Sequence, residues 1–221
     1  MIKACVFDLD GTLLNTLPTI MHYCNQTLER YGLSPYTQED YRSFVGNGAR
    51  DLVTRMLKGR GADLSLLEDF LNDYLAAYDG EPHLHTVPYE GVPELLSLLR
   101  LRGCRLGIIS NKPNSSVTLL VEHFFPSVFS VVSGTVGADP AQLKPATGRL
   151  SRILADWSCT SDECLFLGDG IPDMQLAANA RVGLPIAALW GFTPSELLLP
   201  HGGIPAQSPL DVLGILEKNE G

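Results

Sequence analysis

From Gly91 onward, short apolar runs alternate with amphipathic stretches, and this alternation limits the fold more than any other feature of the 221-residue chain. Strands are predicted over residues 105–110, 128–133, 164–167 and 184–189. Helices are predicted over 93–102, 115–124, 147–157, 173–180 and 210–217, the first with Pro93 in its opening turn. Strands joined by helices cannot pair as hairpins. They pair in parallel and need cover on both faces, which gives a doubly wound α/β sheet. The opening run Lys3-Ala4-Cys5-Val6-Phe7 reads as one more buried strand of that sheet.

Between that first strand and Gly91 the pattern changes. Residues 14–18 read as a linker. Over 19–31, Ile20, Tyr23, Cys24, Thr27, Leu28 and Tyr31 fall near one helical face, and Gly32 and Pro35 stop the helix. Thr37 and Asp40 have capping-box spacing ahead of a short helix that reaches Phe44. The glycine loop 45–50 leads into a helix carrying Leu52, Val53, Met56 and Leu57, and residues 64–79 give another. The expected organisation is an α/β core from residues 1–14 and 86–221, with a helical cap, 15–85, inserted after the first strand.

Composition narrows the function. Apolar residues make up 45% of the chain and charged residues 19%, enough for a sizeable core. A net charge of -9 argues against nucleic acid as the main partner, since no basic excess is present to neutralise phosphates. The five cysteines form no CxxC pair, and an odd number gives no disulfide framework. Residues 1–20 lack the apolar stretch of a signal peptide, and no run approaches the length of a membrane span. A cytoplasmic protein with reduced thiols, binding neither nucleic acid nor membrane, is expected. The five histidines show no ligand spacing on one helix, and Trp157 and Trp190 read as packing residues.

In doubly wound sheets the ligand sits beyond the carboxyl ends of the strands, so those ends carry the functional reading. The first strand runs out into Asp8-Leu9-Asp10-Gly11-Thr12-Leu13. The second is followed by Ser110-Asn111-Lys112, the third, some residues on, by Lys144-Pro145, and the fourth by Gly168-Asp169-Gly170-Ile171-Pro172-Asp173. Asp8, Asp10, Asp169 and Asp173 crowd negative charge at one rim, and a cation is needed to offset it. Hard oxygen ligands without a His or Cys cluster favour Mg²⁺, which commonly bridges to a substrate phosphate. The Ser110 hydroxyl, the Asn111 backbone N–H and the Lys144 ammonium are donors suited to phosphate oxygens, and the Thr12 hydroxyl is a further candidate substrate contact.

The order DxDGT, SN, KP and GDxxxD resembles the haloacid-dehalogenase-type phosphatase superfamily. Phe7-Asp8-Leu9-Asp10-Gly11-Thr12-Leu13, Val45-Gly46-Asn47-Gly48-Ala49 and Ser110-Asn111-Lys112-Pro113 look like its phosphoglycolate phosphatase group. The resemblance implies a Mg²⁺-dependent phosphomonoester hydrolase of a small phosphorylated metabolite, monomeric or homodimeric. It implies Asp8 as the nucleophile that becomes an aspartyl-phosphate, and Asp10 as general acid and then base. Mg²⁺ would be held by the carboxylates of Asp8 and Asp169 and the main-chain carbonyl of Asp10. Asp173 would orient Lys144 or a metal-bound water. Ser110 and Lys144 would hold the phosphoryl group.

Three features depart from the group's pattern: Gly170 stands where Ser is usual, Lys144-Pro145-Ala146-Thr147 lacks the usual second proline, and Asn15 stands where Asp is common. None removes a catalytic group. Arg50, after the cap's Gly-Asn-Gly loop, is either a solvated helix charge or the group that meets a second anionic moiety of the substrate. A β-phosphoglucomutase-type phosphotransferase, a pyrophosphatase and a non-catalytic binding module are the competing readings.

Overall fold

The computed structural model describes residues 1–137 and 139–220. In chain order it contains β1 (Ala4–Phe7), β2 (Leu14–Asn15), α1 (Leu17–Arg30), α2 (Gln38–Phe44), α3 (Ala49–Gly59), α4 (Leu67–Gly80), β3 (Val87–Pro88), α5 (Val92–Leu101), β4 (Arg105–Pro113) and α6 (Asn114–Phe124). There follow β5 (Val131–Thr135), α7 (Gly148–Asp156), β6 (Cys164–Gly168), α8 (Ile171–Asn179), β7 (Leu184–Ala188), α9 (Ser195–Leu198), β8 (Ile204–Ala206) and α10 (Asp211–Glu220).

The main sheet has the order β5-β4-β1-β6-β7-β8, and every pairing in it is parallel. β1 shows why the strands read as unbroken apolar runs: Ala4, Cys5, Val6 and Phe7 are all fully buried, because helices cover both faces. Alternation sends them to different layers. Cys5 and Phe7 join Leu106, Ile108, Leu165 and Leu167 under α5, α6 and α10. Ala4 and Val6 join Ile109, Cys164 and Phe166 under α7 and α8. The chain builds β4 and β5 on one side of β1 and then returns to build β6, β7 and β8 on the other. The crevice where the direction reverses lies at the carboxyl end of β1.

Residues of α1–α4 form a separate apolar cluster, with Leu28, Tyr41, Met56, Leu57, Phe70 and Tyr78 at most 1% exposed. Phe192, from the loop after β7, packs into it. Thr37 and Asp40 make the expected capping box at the start of α2.

Several elements differ from expectation. Residues 14–18 are not a plain linker: Leu14 and Asn15 pair antiparallel with Val87 and Pro88, so both crossings between sheet and helical block run through one short ribbon. The 64–79 stretch opens with a 3₁₀ turn over Leu64–Leu66, capped by Asp63, before α4 begins. α8 begins at Ile171, since Pro172 is tolerated in its first turn, where N–H groups have no helical partner. β8 was not expected. It has three residues, one of them Pro205, and an edge position lets the sheet accept proline. Among the described residues no helix is long and apolar enough to cross a membrane.

Candidate active site

The carboxyl end of β1 organises the site. The Asp8 N–H continues the ladder by donating to the Leu167 carbonyl at 2.9 Å. The chain then folds back, and the Leu9 carbonyl accepts from Thr12, Leu13 and Leu14 at 3.0–3.3 Å. Gly11 enables this turn. Its φ is +82°, and a Cβ there would lie 2.2 Å from Asp169 Oδ2. The turn separates the two aspartates: Asp8 stays in the sheet rim, and Asp10 faces the helical block.

On the rim side, Asp8, Asp169 and Asp173 bring carboxylate oxygens within 4.8 Å of one another, all three buried. Lys144 Nζ lies 2.8 Å from Asp8 Oδ1 and 2.6 Å from Asp173 Oδ1. Asp173 Oδ2 also accepts from the Gly170 N–H at 2.9 Å. Asp169 accepts from the Thr12 hydroxyl at 2.7 Å and from the Phe192 N–H at 2.8 Å. A Cβ on Gly191 would meet the Asp169 side chain at 2.2 Å, so the carboxylate is wedged between two glycines.

Burial first, and then the charge of Asp173, push the Asp8 carboxyl well above its ordinary value, against the pull of Lys144. The same two causes push Asp169 up to about 7, opposed by the Phe192 N–H and Thr12. Burial would lower Lys144, but Asp173 and Asp8 outweigh it and hold the ammonium charged. Fully ionised, three carboxylates beside one ammonium would carry two uncompensated negative charges. An all-oxygen donor set with that deficit suits a hard divalent cation.

The cap-facing side differs. Asp10 Oδ1 accepts from the Thr16 hydroxyl at 2.7 Å, and Lys112 Nζ sits 3.3 Å from both Asp10 oxygens. Lys112 also lies over the ring of Tyr78, 4.3 Å from its centroid. Burial would lower its pKa, but Asp10 and Tyr78 outweigh it and keep it above the usual lysine value.

Both sides open on one cavity between sheet rim and helices, with about 70 Å³ of free volume. Arg42, Tyr74, Tyr78, Lys112 and Phe192 are among the residues that line it. That volume has room for on the order of five water molecules.

The expected site residues fall into two groups. Asp8, Asp10, Ser110, Lys144, Asp169 and Asp173 converge as described, and Ser110 Oγ accepts from the Lys112 N–H at 3.2 Å. Thr12 is a correction. It is fully buried and spends its hydroxyl on Asp169, because the Gly11 turn points it away from the cavity.

Asn111 lines the cavity, but its side chain is a brace. Its Nδ2 donates to the Gly46 carbonyl at 3.0 Å, and its Oδ1 accepts from the Lys144 N–H at 2.8 Å. Arg50 stands apart. It pairs with Glu68 at 2.7 Å, its side chain 45% exposed, outside the cavity lining.

Residues that sequence reasoning left without a role are Lys112, Thr16, Tyr78, Arg42 and Arg149. Arg149 donates to the carbonyls of Ser110 at 2.8 Å and Ser133 at 2.9 Å, which fixes the end of β4. Lys112 was within reach of the sequence, two residues past Ser110 at the same strand end.

Residues 5–186 match the family model of haloacid dehalogenase-like hydrolases. The chain belongs to the haloacid dehalogenase-like hydrolases. A phosphoglycolate phosphatase of Rhodospirillum rubrum is 33% identical over 201 residues, 87% of this chain and 82% of that protein. One from Caulobacter vibrioides is 31% identical over 214 residues, 93% and 87% of the two chains. The crystal structure of a candidate phosphoglycolate phosphatase from Lactobacillus delbrueckii subsp. bulgaricus superposes with a TM-score of 0.87 at 28% identity, covering 95% of this chain and 96% of that one. The protein is therefore a hydrolase of this family, of the phosphatase kind.

Proposed function

We propose that this enzyme is a Mg²⁺-dependent phosphomonoester hydrolase acting on 2-phosphoglycolate. The observation that carries the reading is the charge pattern at the rim: three buried carboxylates cluster beside a small cavity, and two of them pair with one buried lysine. A cavity of that volume suits a short substrate, and the phosphoglycolate phosphatases similar to this chain supply the first choice of ester.

Asp8 and Asp169, with the main-chain carbonyl of Asp10, would hold Mg²⁺, which supplies charge neutralisation for the phosphoryl group. Ser110 and Lys144 bind phosphoryl oxygens. An Asp8 oxygen attacks phosphorus, the ester P–O bond breaks, and Asp10 gives its proton to the leaving alkoxide. In the second half Asp10 takes a proton from water. The water oxygen attacks the aspartyl-phosphate, and the P–O bond to Asp8 breaks, releasing phosphate. Thr16 and Lys112 hold Asp10 in place for both transfers. Thr12 and the Phe192 N–H hold Asp169. Asp173 holds Lys144. The helices α1–α4 close over the rim and exclude bulk water from the acyl phosphate.

The test is phosphate release across a panel of phosphorylated metabolites with Mg²⁺. Release is expected to be fastest from 2-phosphoglycolate and abolished by EDTA. Release that persists in EDTA would sink the metal assignment, and a clear preference for another ester would sink the substrate.

A further inference from the structure

Lys112 is more than the counter-ion of Asp10. Its ammonium has three donors, and its two contacts with Asp10 are 3.3 Å long, where a charge-assisted N–H···O bond is about 2.7–2.9 Å. It is buried, yet it lines the cavity. Beside it, the buried Tyr78 hydroxyl has no well-formed hydrogen bond, only the Lys112 ammonium close by. A buried hydroxyl without a well-formed hydrogen bond is unfavourable, and most buried hydroxyls have a good partner. The same cavity wall therefore holds an ammonium with loose contacts and a phenol whose polar neighbour is that same ammonium. Arg42 adds positive charge from α2, with Glu39 at 3.6 Å as its partner.

We propose that Lys112 and the Tyr78 hydroxyl form the subsite that reads a carboxylate on the substrate, which makes the enzyme selective for phosphate esters of short hydroxy acids. The proposal rests on the phosphatase reading for the phosphate end alone. A carboxylate entering the cavity accepts from Lys112 at normal length and from the Tyr78 hydroxyl, satisfying both. The backbone sets the reach. Ser110, at the phosphate end, and Lys112 are two residues apart in β4, a rise of roughly 6–7 Å along the strand. The carboxylate must therefore sit within a few bonds of the phosphate. Tyr78 belongs to α4 and Lys112 to β4, so the subsite is complete only while the helical block covers the rim.

The experiment compares esters that differ by one negative charge: 2-phosphoglycolate against its carboxyl methyl ester, and phospholactate against its methyl ester. The readout is the ratio of kcat/KM within each pair. The wild-type enzyme is expected to prefer the free acid in each pair.

Lys112→Met is expected to lower kcat/KM on both members, because Asp10 loses a contact, and to cut the ratio by about 10–100-fold. Tyr78→Phe removes one hydroxyl from a side chain otherwise kept. It is expected to cut the ratio by about 3–10-fold with little change in thermal stability. If both variants keep the wild-type ratio, the subsite is overturned, whatever the absolute rates. Absence of any preference for the free acid in the wild-type enzyme overturns it as well. If phospholactate outperforms 2-phosphoglycolate and the ratios still collapse, the subsite stands and only the choice of 2-phosphoglycolate fails.

Discussion

On the sheet side of the cavity, Asp8, Asp169 and Asp173 cluster, and Asp8 and Asp173 share Lys144. On the cap side, Asp10 has Lys112 to itself and a hydroxyl from Thr16 as well. The first group is rich in buried carboxylates, and in the proposed function a cation from solution completes it. The second is neutral as it stands, and its partners come from both sides: Lys112 from β4, Thr16 from the start of α1, and Tyr78 from α4. Burial raises the stakes on both sides, but in different ways. The sheet side responds to cations and pH. The cap side responds to where the helical block lies.

The largest expected effect separates the two aspartates. Asp8→Asn removes the proposed attacking oxygen and should lower kcat by about 10⁴-fold or more. Asp10→Asn removes the proposed proton carrier and should cost about 10²–10⁴-fold, less on an aryl phosphate, whose leaving group needs little protonation. Stability should move in opposite directions. Without metal, Asp8→Asn relieves a crowded charge and should raise Tm. Asp10→Asn leaves Lys112 without a counter-ion and should cost on the order of 3 kcal/mol in urea denaturation. Two variants with matching losses of rate and matching shifts in stability would break the division between the halves.

A smaller effect follows from pH. Asp8 and Asp169 both have carboxyls raised above the ordinary aspartate value, Asp169 to about 7. Between about pH 4 and pH 8 the folded, metal-free protein holds protons that the unfolded chain has released. Stability from these groups is therefore greatest in acid and falls as pH rises through that window. A divalent cation replaces those protons, so Mg²⁺ should raise Tm more at pH 8 than at pH 5. Asp8→Asn should flatten the metal-free slope. The check is thermal unfolding from pH 5 to 8, with Mg²⁺ and with EDTA. A metal-free Tm that climbs with pH, or a Mg²⁺ effect larger in acid, would contradict the assignment.

What was legible in the sequence follows the same physics. β1, β4, β6 and β7 were readable because strands buried on both faces are written as continuous apolar runs, and the helices because their apolar residues recur on one face. β2, β3 and β8 were not: two or three residues carry no period, and Pro205 argues against a strand unless the edge position is known. In the site, Asp8, Asp169 and Lys144 could be placed at the rim because position in a doubly wound sheet decides it. Partnerships were harder to read. That Lys112 would face Asp10 depends on contacts 102 residues apart. That Thr12 would serve Asp169 depends on the positive φ of Gly11, which a sequence shows as a permissive residue and not as a direction.

Arg50 and Arg42 give the smallest expected effect, and they test whether the cap side has been read in the right place. A glycine loop ahead of a helix pointed to Arg50, but the loop sets where a helix starts and not which way its first long side chain turns. Arg50 turns outward to Glu68, both side chains well exposed, and an exposed pair of this kind is worth about 0–1 kcal/mol. Arg42 is one helix earlier, lines the cavity, and has only a longer contact to Glu39. Arg50→Ala should therefore leave kcat/KM for 2-phosphoglycolate within about twofold. Arg42→Ala should lower it about 3–10-fold, mainly through KM, since a cation at the cavity mouth attracts ground state and transition state alike. Steady-state kinetics on the two variants decides the matter. If Arg50→Ala raises KM for the anionic ester more than Arg42→Ala does, and leaves an aryl phosphate unchanged, then Arg50 must exchange Glu68 for substrate. The cap side would then have a second cationic arm that closes with the ligand.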